Sequence, residues 1–185
     1  MGRMTRTGDE RLGAGAQVRH AGWWRRVLAR IIDGVIVFIP TALLSLVIAA
    51  VVMGTATGAT PLPGVRSGNV EEGRPLAQFL ITIAGLVISV AYETYFLHRR
   101  GATLGKMAVK VRVVPLDGIQ GPGLRTDTAL VRALTWYLPG NLSNLAFIGW
   151  IFGLFSLLNA LFPLWDRPLH QSLNDKVART RVIEA

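Results

Sequence analysis

In the segment GWWRRVLARIIDGVIVF, Arg26, Arg30 and Asp33 follow one another at spacings of four and three residues. At about 100° per residue the three fall within an arc of roughly 60°, so they line one stripe of a helix. Arg30 and Asp33, one turn apart, come within ion-pair reach. Arg26 stands roughly 10 Å from Asp33 along the axis and needs another partner. A carboxylate a turn or more inside an apolar run is costly unless it is paired or faces a bundle interior. Two uses fit Asp33 equally: a structural ion pair, or a site at which a proton or cation exchanges. Glu93 lies at similar depth near the end of a second apolar run. It is the natural partner for Arg26 or Arg30 from a neighbouring helix, with Arg99 or Arg100 as the plainer alternatives.

The elements that must hold these residues are apolar and clumped. Of 185 residues 51% are hydrophobic and 17% charged, against about a quarter charged in soluble domains. Mean hydropathy is +0.41, and runs on the scale of about 20 apolar residues mark lipid-spanning segments. The formal charge of +9 sits in blocks flanking those runs, without a nucleic-acid-binding motif, so a bilayer with anionic headgroups is the expected partner and nucleic acid is not. No cysteine is present, which excludes disulfides, cysteine-ligated clusters and thiol catalysis. His20, His98 and His170 are too scattered for metal-ligand spacing, so neither a metal nor another cofactor is expected. A nucleophilic triad and a nucleotide loop are also missing, and no enzymatic activity is expected. The Gly101 to Met107 segment imitates a phosphate loop but has one spacer too few and lacks its Ser or Thr. Thr103 and Gly105 are read there as shaping a turn at the membrane surface, with Lys106 and Lys110 facing headgroups.

Along the chain, residues 1–20 read as a disordered cytoplasmic tail, followed by Trp23 and Trp24 at headgroup level. A membrane domain then occupies residues 21–183. Its first span runs from about Val27 to Met53, with Pro40 inside it, and its second from about Leu76 to Leu97. The loop between them, 54–74, is rich in Gly, Pro and Thr, and its Arg66 and Arg74 are balanced by Glu71 and Glu72. The next segment is strongly basic, which places the amino terminus and second loop inside and the first loop outside. Within it, Val111 to Val114 reads as a short strand and Asp117-Gly118 as a turn. Residues 129–141 form a short or re-entrant leg ended by Pro139-Gly140, and Leu142 to Trp165 a long apolar run. The fold class is therefore an all-α membrane protein with three or four transmembrane helices and a small cytoplasmic strand pair. Three crossings put the basic carboxy-terminal tail outside; four return it to the cytoplasm and suit the charge rule better. With the tail inside, Thr180 to Ile183 can pair with Val111 to Val114. Gly149, Gly153, Ser156 and Ala160 make a small-residue stripe that permits close helix approach, within one chain or in a homo-oligomer.

These motifs resemble the RDD family of multi-spanning membrane proteins. The resemblance rests on Arg26-x-x-Ala29-x-x-x-Asp33, on Gly101-Ala-Thr-Leu-Gly-Lys106 followed by Val111-Arg-Val-Val114, and on Gln171 to Ala178 with Thr180, in the family's order. It implies that Arg26, Asp33 and Asp175 are the name-giving residues, with Asp166 an additional member, and that Asp175 returns to meet Arg26. Two positions depart from the pattern: Asn174 stands where the family has histidine, and Arg179 where it has glycine. For function the resemblance implies cation/proton antiport in some members. Two readings stay open: a cation/proton transporter or transporter subunit built on the Arg–Asp site, and a non-transporting scaffold or accessory protein in which Arg26, Asp33 and Asp175 form a structural clasp.

Overall fold

A computed structural model describes residues 20–56, 70–117, 121–143 and 149–185, and their side chains other than those at 55, 56 and 70–72. The expected tail at residues 1–19, most of the first loop and Gly118 of the expected turn lie outside the described residues. Helix α1 runs Trp23–Ala56 and α2 runs Val70–Arg100. Both overshoot the predicted spans, because intrahelical hydrogen bonding continues past the apolar run into the polar flanks. Their apolar side chains face outward: Phe38 is 69% and Leu46 68% exposed. A core helix of a soluble protein buries such a face, whereas a lipid surround accepts it. Helix α2 stops at Gly101, whose φ of 67° suits the left-handed residue that follows a helix.

The remaining helices are short: α3 Leu104–Ala108, α4 Thr126–Leu142, α5 Gly149–Leu161 and α6 Leu173–Val177, with a 3-10 turn at Phe162–Leu164. The apolar run expected from Leu142 to Trp165 is not one helix. Leu142 closes α4, α5 begins at Gly149, and Pro163 sits in the 3-10 turn that ends it. Pro139-Gly140, expected to end the preceding leg, lies inside α4 instead. A proline in the last turn frees a single carbonyl, and the Ser143 N–H donates back to the Pro139 carbonyl at 3.0 Å. With 17 and 13 residues, α4 and α5 reach about 25 and 20 Å, short of a hydrocarbon core of about 30 Å. Among the described residues two helices, α1 and α2, are long and apolar enough to cross a membrane.

Helices α4 and α5 pack against each other in opposite directions. Gly149, opening α5, abuts Ser143 just past α4, while Asn159 near the end of α5 reaches back to α6. Of the small-residue stripe, Gly149 and Gly153 lie against Ser143. Strands β1 (Val111–Pro115) and β2 (Thr180–Glu184) pair antiparallel in the register Val111↔Glu184 to Pro115↔Thr180, the pairing expected from sequence. His20 bridges Ile183 on the free edge of β2. Below the sheet Ala21, Leu97, Val111, Val113, Leu124, Ala129 and Val182 form a buried cluster. It joins the start of α1, the end of α2 and the start of α4 to the two strands.

Candidate functional site

Three buried carboxylates organise the junction between the long helices and this strand-bearing cap. Asp33, 1% exposed, accepts from the Tyr92 hydroxyl at 2.8 Å, the Gly105 backbone N–H at 2.8 Å and the Thr103 hydroxyl at 2.6 Å. Glu93 from α2 accepts from Arg30 at 2.6 Å and Lys106 at 3.0 Å. The Arg30 guanidinium also lies 4.1 Å from the Trp136 ring centroid, a cation–π contact. Asp175 in α6 accepts from Arg26 at 2.8 Å, from Arg132 of α4 and from the Ser172 backbone N–H at 3.0 Å. Arg132 further donates to the Thr180 hydroxyl at 2.6 Å.

The local sequence explains how the cap presents these groups. Thr103 and Ser172 precede α3 and α6 in extended backbone, positions where a hydroxyl residue caps a helix. Thr103 accepts from the Lys106 N–H and donates to Asp33, joining cap and span in one residue. Gly105 lets α3 lie directly on α1, since a Cβ there would run into the Ala29 carbonyl and the Asp33 carboxylate. The Leu104 N–H donates to the Tyr92 oxygen at 3.2 Å, so the phenol links α3 to Asp33 as well.

Asp175 does meet Arg26, as the resemblance implies, and Glu93 takes Arg30 from the neighbouring helix. Arg30 and Asp33, within ion-pair reach along the helix, do not pair. Among the described residues Asp33 is in no ion pair; neutral donors fill it, while Glu93 from α2 claims the guanidinium. Asp166 stands apart from the three, pairing with Lys176 at 2.5 Å and accepting from the Gln171 N–H at 2.8 Å. Burial raises the Asp166 carboxyl, and the Lys176 ammonium outweighs that and holds it below the usual carboxylate range. Lys106, expected to face headgroups, is buried on Glu93 instead; Lys110 is exposed.

Sequence reasoning did not find Arg132, Tyr92 or Thr180 as members. Arg132 counted as one basic residue among many, although its flanking Ala129 and Ala133, both fully buried, mark a helix face on which a charge must be paired. Tyr92 carries no charge, and nothing in its own sequence context marks it as a partner of Asp33.

Burial pushes the Asp175 carboxyl up, and the Arg132 and Arg26 guanidiniums outweigh it and hold it at about 2. Burial pulls the Lys106 ammonium down to about 8, against the opposing pull of Glu93. Chemically the arrangement is a set of charge-assisted clamps between cap and helices. No group of three or more His, Cys, Asp or Glu among the described residues could hold a metal ion.

The model of the RDD family matches the chain over residues 20–179. No curated protein and no solved structure matches it.

Proposed function

The chain belongs to the RDD family, and on that premise we propose that it is a non-transporting membrane scaffold or accessory protein whose charged set is a structural clasp. The observation that carries this reading is saturation: each of Asp33, Glu93 and Asp175 is buried and held by two or more donors from other elements. A site that exchanges cations needs an accessible carboxylate oxygen, and in these three both oxygens are buried and already bonded. In this reading the clasp fixes a rigid strand-bearing cap on the membrane helices and catalyses no reaction.

The basic flanks support a plasma (inner) membrane protein whose amino terminus and cap face the cytoplasm. The β1–β2 pairing supports a four-leg topology, because both strands then lie on one side and α4–α5 enters and returns. A single cysteine placed near Ala185 tests this. Labelling by an impermeant thiol reagent from outside intact cells contradicts a cytoplasmic tail.

One observation favours the second reading, cation/proton exchange. Lys106 is a buried lysine with its pKa brought down to about 8 beside Glu93, and loss of its proton leaves room for a monovalent cation at that carboxylate. Proteoliposomes carrying a pH-sensitive dye separate the two. The clasp predicts no proton movement on addition of Na⁺, K⁺ or Li⁺, and loss of the folded state in Asp33→Asn. Cation-driven proton movement that disappears in a folded Glu93→Gln variant overturns it.

A further inference from the structure

The geometry points to an anion site: the cavity between the start of α1, the middle of α4 and the α5–α6 corner binds a phosphate-type oxyanion, as carried by an anionic lipid headgroup. Its volume is about 300 Å³, at the low end of the range of roughly 300–1,000 Å³ typical of small-molecule sites. Arg26, Arg30, Lys106 and Arg132 all line it, and no carboxylate does. Four cations thus line the cavity, while the buried carboxylates Asp33, Glu93 and Asp175 number three and are not among its lining residues.

Unfilled donors give a second, independent sign. Among the described residues Arg132 Nε and Asn174 Nδ2 are buried without a hydrogen-bond partner, and both residues line the cavity. Arg132 is 2% and Asn174 1% exposed. The Ser172 hydroxyl donates to Asn174 Oδ1 at 2.6 Å, which leaves the amide nitrogen as a donor. Two orphaned N–H donors beside an excess of positive charge call for an acceptor that is itself negative.

The rest of the lining favours an amphiphile as the carrier. Val27, Ile31 and Ala160 form an apolar wall, and Ile31 is also exposed on the outward face of α1. An oxyanion held by the basic lining can therefore trail an apolar stem toward the lipid. The Trp23 indole, donating to the Ala160 carbonyl at 3.0 Å, keeps that wall in place at headgroup level.

The test uses the full chain purified in neutral detergent, with binding read by native mass spectrometry and by the melting temperature. Phosphatidylglycerol, phosphatidylcholine and inorganic phosphate are the probes. Phosphatidylglycerol is expected to bind and to raise the melting temperature above the value in phosphatidylcholine. Competition by inorganic phosphate shows that the site takes the free anion too; its failure to compete assigns the site to the headgroup. Asn174→Asp, which replaces a donor by a charge of the wrong sign, and Ala160→Phe, which fills the cavity without replacing any charged side chain, should each weaken binding at least tenfold. Equal effects of the two lipids with none from phosphate overturn the proposal. So does wild-type affinity in Ala160→Phe, which decides the matter if Asn174→Asp does not fold.

Discussion

In α3–β1, Thr103 caps a five-residue helix, Lys110 takes a left-handed φ of 56° and Val111 begins a strand. In α6–β2, Ser172, Arg179 with φ 50° and Thr180 occupy the same three places. The two units share one backbone plan, and their strands pair. At the third helical position one carries Lys106 and the other Asp175. An acid there is locally favoured, since it can accept from the cap residue's N–H and sits at the positive end of the helix. Asp175 does so through the Ser172 N–H. Lys106 has no such local support and depends on Glu93 from α2. The same frame can thus present either charge to the membrane helices, but only the acid is stabilised by its own turn.

The largest break in that comparison comes from Asp175→Ala. It leaves Arg26 and Arg132 buried without their shared counter-charge, and should cost about 3–5 kcal/mol in equilibrium unfolding. Lys106→Met is the matching change in the other unit. Glu93 keeps Arg30, so about 2 kcal/mol is expected, and a smaller loss than in Asp175→Ala is the outcome that upholds the asymmetry.

Titration sharpens the contrast, because the units act on opposite limbs. The Asp175 carboxyl sits at about 2, below its unfolded value of 3.8. Its contribution is therefore present above about pH 4 and lost as pH falls toward 2, a change of about 2 kcal/mol. The Lys106 ammonium sits at about 8, below its unfolded value of 10.5. The unfolded chain then binds more protons in the window from 8 to 10.5, so stability rises with pH there. Unfolding midpoints measured across pH in wild type and Lys106→Met check this: the alkaline rise should shrink in the variant while the acid loss persists.

The smallest effect concerns the second helical position, Gly105 in one unit and Asn174 in the other. Gly105→Ala drives a methyl group into Ala29 and Asp33, with an expected loss of about 1–3 kcal/mol. The equivalent Asn174→Ala has room and should cost less by the same unfolding assay.

Much of the molecule was legible before any coordinates. Clumped apolar residues located α1 and α2, because the need to satisfy backbone polar groups in lipid leaves few alternatives to a long helix. The charge bias and β-prone residues pointed to the strand pair, and the resemblance to the RDD family implied that Asp175 meets Arg26. The third apolar run misled, since its composition is continuous while its described residues include the end of α4, the separate helix α5 and a 3-10 turn at Pro163.

Sequence alone determined the membrane class, the long helices and the residue types that had to be neutralised, for these follow from local composition and the energetic cost of charge in an apolar setting. Partner choice was decided only by the tertiary structure. Arg30 is one turn from Asp33 yet bonds Glu93, and Arg132 meets an aspartate 43 residues away. Ion pairing depends on distances of a few ångströms between separate helices, and only packing sets those distances.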